Sequence, residues 1–255
     1  MLSEAPLPRW FVDLLAHRRW IRRTRPFPHV YVRDVFVAEF YQRLAAEFER
    51  AHAERPELFT PVAAGYSATG AGLGELRNGP LEVFLSRAWH DLIERVAGVP
   101  ATGDVEGSLH HHAPGSPRGW LHHDLSPAWF RETAPAAGEV GLPFDGINVK
   151  TGERPAGVPA RELVRAVAVL FYLGNSPWQP GDGGETGLFT DGTASAPAVV
   201  VPPLNNSMVV FECTPRSWHT FLGANTGPRN SVVMWLHRPR EEAERRWGGN
   251  RIVNW

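Results

Sequence analysis

The feature that most restricts the fold is a change of texture at about Val105. From there the chain runs through short apolar segments broken by Gly and Pro: "VEGSLHHHAPG", "GWLHHD", "VRAVAVLFYLG", "ETGLFT", "SMVVFE", "WHTFLG" and "RNSVVMWLHR". Short strands at this spacing predict a sandwich or jelly roll. The 23 prolines and 25 glycines fit the many turns that such a fold needs, and the ten tryptophans suggest aromatic walls. One stretch, from Leu125 to about Arg161, is rich in Pro, Gly and Ala and is too long for an ordinary connection. It reads as a lid or mobile insert, or as a disordered surface loop.

Upstream the pattern is helical. In "RDVFVAEFYQRLAAEFERAHAE", Phe36, Phe40, Leu44 and Phe48 recur every four residues, and Asp34 stands where it could cap the start. A second helical run, "LEVFLSRAWHDLIERVAG", ends at Gly98 ahead of Pro100, and "FPHVYV" reads as a short strand. The expectation is a mainly β chain with flanking helices, a single domain in three parts. Residues 1–104 form a helical buttress with a leading strand; 105–240 form the β core with its insert 125–161; 241–255 are a C-terminal tail.

Composition narrows the function classes. Hydrophobic residues are 43 % and charged residues 21 %, with a formal net charge of −1. That balance gives no electrostatic footprint for nucleic acid or an anionic membrane surface. The lone cysteine, Cys213, excludes an internal disulfide and points to a reducing cytoplasm.

The chemistry gathers around "WLHHDLSPAW" (120–129). Side chains alternate along a strand, so His122 and Asp124 share a face while His123 points away. An imidazole nitrogen and a carboxylate oxygen can take two adjacent positions on a divalent metal. The third can come from His219 in "PRSWHTFLG". Two histidines and one carboxylate on one side of a metal leave three positions open, as in non-heme Fe(II) oxygenases. Ten residues on, Arg229 and Ser231 again share a face. A guanidinium and a hydroxyl together can clamp a carboxylate, and an arginine inside an apolar strand is costly to bury without an anion.

With these elements in order, the chain resembles the prolyl 4-hydroxylase-like Fe(II)/2-oxoglutarate-dependent dioxygenases. The resemblance rests on His122-x-Asp124, "FYLGNSPWQPGDGGETGLF", "NNSMVVFECTPRSWHTFLG" and Arg229-x-Ser231, over roughly Val105 to Arg238. It implies a double-stranded β-helix core, jelly-roll and cupin-like. Fe(II) would be held by His122, Asp124 and His219, and 2-oxoglutarate by Arg229 and Ser231. Dioxygen is the other co-substrate, and ascorbate is allowed as a reductant. The implied reaction hydroxylates an unactivated aliphatic C–H, in a prolyl or other amino-acid side chain that is free, in a peptide or in a natural-product scaffold, with desaturation or ring formation as alternative outcomes. Retention of Asp124 argues against halogenation. One departure stands out: relatives carry a tyrosine three residues before the glycine of "Y-x-P-G", and "HHAPG" puts His112 there. His112 either replaces that hydrogen-bond donor or belongs to a polar strand edge with His110 and His111.

Two other readings use the same residues. A zinc hydrolase would activate water on the two histidines and Asp124, with no need for Arg229. A cupin-like binding module would hold a structural metal or none. Other residues have plainer explanations. The glycines of "GDGGETG" make a tight turn, Glu185 is structural, and Trp178 and Trp235 either wall the pocket or pack the core.

Overall fold

The computed structural model describes residues 6–254. Twelve strands carry the fold: β1 (Arg22–Arg23), β2 (His29–Val32), β3 (Thr60–Pro61), β4 (Ala68–Gly72), β5 (Val105–His112), β6 (Pro127–Arg131), β7 (Ala160–Tyr172), β8 (Thr186–Leu188), β9 (Val199–Val201), β10 (Ser207–Glu212), β11 (His219–Phe221) and β12 (Arg229–Pro239). Four α-helices flank them: α1 (Arg9–Val12), α2 (Ala38–Glu54), α3 (Arg87–Ala97) and α4 (Arg240–Trp247). The large sheet runs β1-β2-β10-β7-β12-β5-β4-β3, with β6 paired to the outer half of β7, and the small sheet runs β11-β8-β9. Every pairing between these strands is antiparallel.

Strand alternation divides the core in two. On β7, Val167, Val169 and Phe171 face the helices, with Leu173 just beyond it, while Ala168, Leu170 and Tyr172 face the small sheet. β12 splits likewise, with Val232, Met234 and Leu236 on one side and Val233 and Trp235 on the other. A strand covered on both faces can be apolar throughout, which is why these segments read as near-continuous hydrophobic runs. Phe36, Phe40, Leu44 and Phe48 pack in the helix-side cluster, and Phe36 meets Phe84, Trp89 and Phe171 at ring-centroid distances of 5.5–6.0 Å. Ser86 caps α3 by accepting from the Trp89 amide at 3.1 Å, and Gly98 ends it in the left-handed region at φ 70°.

Two sequence expectations are corrected here. Asp34 does not cap α2: it sits in a turn at φ 54°, and the helix starts after Val37 without a side-chain cap. Tertiary hydrogen bonds hold that approach instead. The Asn206 amide bonds both the N–H and the C=O of Phe36, and the Val37 N–H donates to the Leu14 carbonyl. The stretch from Leu125 to Arg161 is no free loop. It opens as β6, which pairs with Ala160–Val164 and returns the chain to the sheet. The final segment folds as α4, whose Ala243 packs with Leu125 and Val164. Among the described residues no helix is long and apolar enough to cross a membrane.

Candidate metal centre

His122, Asp124 and His219 offer ligand atoms that all lie within 4.8 Å of one another. A single antiparallel bridge places them: the His122 amide donates to the His219 carbonyl at 3.1 Å, and the His219 amide donates back at 2.8 Å. "GWLHHD" is thus extended and bridged once, short of a full strand. Each ring is oriented by its own backbone. His122 Nδ1 lies 2.8 Å from the Trp120 carbonyl, and His219 Nδ1 lies 3.0 Å from the Ser217 carbonyl. A carbonyl can only accept, so Nδ1 carries the proton in both rings and the Nε2 lone pairs are left for a cation. The two Nε2 atoms stand 3.7 and 3.4 Å from the Asp124 carboxylate. Burial lowers His122 to about 4, with the neighbouring His219 adding to the effect. Burial would raise Asp124, yet His219, His122 and Arg165 outweigh it and hold the carboxyl well below its ordinary value. An ionised carboxylate beside imidazoles whose Nε2 atoms face it is the donor set a divalent cation requires. His123 is elsewhere, edge-on to Trp218 at 4.9 Å and accepting from the Leu125 amide.

The carboxylate is braced from behind. Trp235 Nε1 donates to Asp124 Oδ2 at 2.9 Å. The Arg165 guanidinium lies 3.6 Å over the Trp235 ring, makes hydrogen bonds of 2.9–3.2 Å to Glu106, and stands 3.6 Å from Asp124 Oδ1. Trp235→Phe keeps the stacked ring but removes the donor. It is expected to weaken Mn(II) binding about 10-fold, the usual effect of losing a group that orients a ligand, as read by titration of the metal.

All three ligands line a cavity of about 310 Å³ together with Arg229, Thr186, Tyr66, Lys150 and Trp235. Arg229 is only 4 % exposed, and among the described residues it has no carboxylate within 4.0 Å. It donates to Ser231 Oγ at 3.0 Å and to Thr186 Oγ1 at 3.1 Å, while its Nε has no partner. Thr186 in turn meets the Tyr172 hydroxyl at 2.8 Å. A buried guanidinium without a counter-ion is expensive, so the arrangement fits an anionic guest.

His112 lies face to face with Phe221 at 3.9 Å, and neither of its ring nitrogens has a partner. His110, two residues earlier on the same strand, lines the cavity, and Tyr66 packs edge-on against His112 at 5.5 Å. Trp178 serves the glycine turn, donating to the Gly183 carbonyl at 3.0 Å. That turn grips the chain just ahead of Arg229: the Gly184 amide donates to the Gly223 carbonyl and the Thr226 amide to that of Asp182. Gly183 has φ +73°, and a Cβ there would lie 2.3 Å from the Ala224 carbonyl oxygen. Gly183→Ala is therefore expected to cost roughly 3 kcal/mol, as backbone strain plus a backbone clash, and to lower the melting temperature in a thermal scan. Cys213 is buried and unpaired, with its thiol pushed up by burial, and is inert as a nucleophile.

Residues 149–237, which include His219, Arg229 and Ser231, match the family model described as the 2OG-Fe(II) oxygenase superfamily. This stretch, about a third of the chain, is similar to the 2OG-Fe(II) oxygenases. His122 and Asp124 precede the matched stretch. The fold is similar to that of a Pseudomonas putida prolyl-4-hydroxylase, with a TM-score of 0.55 and 22 % identity over 82 % of this chain and 92 % of that one. It is also similar to a Trichoplax adhaerens prolyl hydroxylase bound to a hypoxia inducible factor peptide, with a TM-score of 0.56 and 16 % identity over 84 % and 85 % of the two chains. A third likeness is to SnoK, a carbocyclase of nogalamycin biosynthesis, with a TM-score of 0.53 and 14 % identity over 82 % and 79 %. At these identities the likenesses establish the fold, a double-stranded β-helix. A sequence comparison with curated proteins finds no match. The superfamily implies Fe(II), with 2-oxoglutarate and dioxygen as co-substrates.

Sequence reasoning did not single out Arg165, Glu106, Thr186, Tyr172, Tyr66 or Lys150. Thr186 and Tyr172 lay inside a quoted motif, and Glu106 and Arg165 inside quoted strand segments, where an arginine in an apolar run was an available signal. Tyr66 and Lys150 come from turns remote in sequence, and periodicity carries no mark of them.

Proposed function

We propose that the oxygenase hydroxylates an unactivated aliphatic C–H bond, in a prolyl or other amino-acid side chain of a small molecule or peptide. His122, Asp124 and His219 would hold Fe(II), and Arg229, Ser231 and Thr186 would grip the distal carboxylate of 2-oxoglutarate. The observation that carries this reading is one cavity lined both by three converging metal-binding atoms and by a buried guanidinium with no counter-ion. A zinc hydrolase would have no use for Arg229.

When bound, the iron would activate dioxygen, which is the oxidant, and 2-oxoglutarate would supply two of the electrons as it is converted to succinate and carbon dioxide. The protein supplies the rest. Nδ1–H bonds to the Trp120 and Ser217 carbonyls fix both imidazoles. Trp235 and Arg165 fix the carboxylate. Leu170, Phe221 and Val233 on the cavity wall exclude water from the reacting face. The test is a screen of amino acids and proline-containing peptides for oxygen-dependent conversion of 2-oxoglutarate to succinate. Succinate formed only with Fe(II) and oxygen, and an added oxygen atom on one compound by mass spectrometry, is the expected result. Hydrolysis without oxygen would replace this reading with the zinc one.

A further inference from the structure

We propose that Lys150 binds a carboxylate of the substrate, which narrows the substrate to a free amino acid or another small acid. This rests on the hydroxylase reading above and adds to it a specificity residue.

Lys150 is the only lysine among the 26 basic side chains of the chain. It reaches the metal cavity from the segment between β6 and β7, and a built turn puts it there. The Asn148 carboxamide accepts from the backbone amides of Lys150 and Thr151 at 3.0 and 3.2 Å. The Gly152 amide donates to the Asn148 carbonyl, and the Asn148 amide donates to that of Glu153. The turn is docked on β6, where the Trp129 amide donates to the Val149 carbonyl at 2.9 Å and Val149 packs against Ala128, Phe130 and Leu163. Gly152 lies directly on the Trp129 indole, since a Cβ there would fall 2.5 Å from that ring.

The charges lining the cavity are Arg229, Arg165, Lys150, Glu106 and Asp124, and four of the five are spoken for. Arg165 is held by Glu106 and Asp124. Asp124 faces the metal position, and Arg229 is set apart with Ser231 and Thr186. Lys150 is half-buried, and among the described residues its ammonium makes no hydrogen bond and has no carboxylate within 4.0 Å. Burial and the charge of Arg165 lower its proton affinity, so an added anion would be welcome. A metal dication and a dianionic co-substrate cancel, and the side chains then leave one unit of positive charge, enough for one carboxylate. An internal prolyl or other uncharged residue of a peptide offers only neutral amides.

Because the lysine is single, reductive methylation with 13C-formaldehyde places a reporter on Lys150 and on the N-terminal amine alone. Protein loaded with Zn(II) and 2-oxoglutarate is titrated with the common amino acids and, in parallel, with their amides. The expected result is that at least one acid shifts the dimethyl-Lys150 resonance and its amide does not. For that acid, Lys150→Met should shrink the wild-type preference for acid over amide in kcat/KM by roughly 10- to 100-fold, the range for losing one charged hydrogen bond, and Lys150→Arg should restore part of it. The ratio is internal to each variant, so a partly folded protein does not imitate the effect. The proposal is overturned if no acid moves the resonance, if amides move it equally, or if the ratio survives Lys150→Met. The hydroxylase reading is judged apart, on unmethylated wild-type protein, by oxygen-dependent succinate formation. Its failure alongside an acid-specific shift would leave Lys150 as a carboxylate site in a different enzyme.

Discussion

Arg229→Met is expected to make the protein lacking 2-oxoglutarate more stable and at the same time unable to bind it. The guanidinium is buried with Nε unpartnered and no carboxylate nearby, so folding bears its desolvation with only Ser231, Thr186 and the rings of Tyr172 and Phe221 as compensation. An unbranched apolar side chain of similar length relieves that cost by about 1–3 kcal/mol, and for a chain of this size each kcal/mol raises the melting temperature by about 2–4 °C. 2-Oxoglutarate at 100 times its Kd should stabilise the wild-type Mn(II) protein by about 2.7 kcal/mol. In the variant its affinity should fall on the order of 10²- to 10³-fold, the effect of deleting one partner of a buried charged pair, and the stabilisation should vanish. Thermal scans with and without 2-oxoglutarate read both signs at once. An unchanged ligand-induced shift in Arg229→Met would remove Arg229 from the site.

His122→Ala and His219→Ala are expected to abolish Mn(II) binding and iron-dependent turnover, whereas His123→Ala keeps most of both. His122 and His219 present Nε2 towards Asp124 while their Nδ1 protons are held by backbone carbonyls. His123 faces Trp218 and supports the Leu125 amide, so its loss perturbs packing beside the site and takes no donor atom from it. Asp124→Gly should likewise end hydroxylation, and would leave Arg165 and Trp235 without the carboxylate they hold. Equal damage from His122→Ala and His123→Ala, in metal titration as well as turnover, would refute this assignment.

How far these residues were legible depends on how far apart their partners lie in the chain. His122, Asp124 and Arg229-x-Ser231 are local patterns, and alternation of side chains on an extended backbone is enough to say which of them share a face. The Arg165–Glu106–Trp235 brace is not local. It exists because β12 pairs with β7 on one side and β5 on the other, which puts Trp235 opposite both Ala168 and Glu106. Helix starts show the same divide. Ser86 caps α3 through its own third neighbour, whereas the expected capping by Asp34 gave way to Asn206, 170 residues from the Phe36 it holds. The insert misled for a related reason: Pro, Gly and Ala describe how a segment can bend, and β6 forms there because β7 offers an edge to pair with.

By itself the sequence determined a β core of short strands, the three candidate metal ligands and a basic residue fit to meet a carboxylate. Each depends on residue type and on spacing of a few positions. Only the tertiary structure decided what stands behind the candidate ligands and what else lines their cavity. It set Trp235 and Arg165 against Asp124, gave Arg229 the hydroxyl of Thr186, and brought Lys150 into the cavity on a turn closed by Asn148. Such neighbours are created by strand pairing and docking, and their free energy comes from burying charge where only one arrangement supplies a partner.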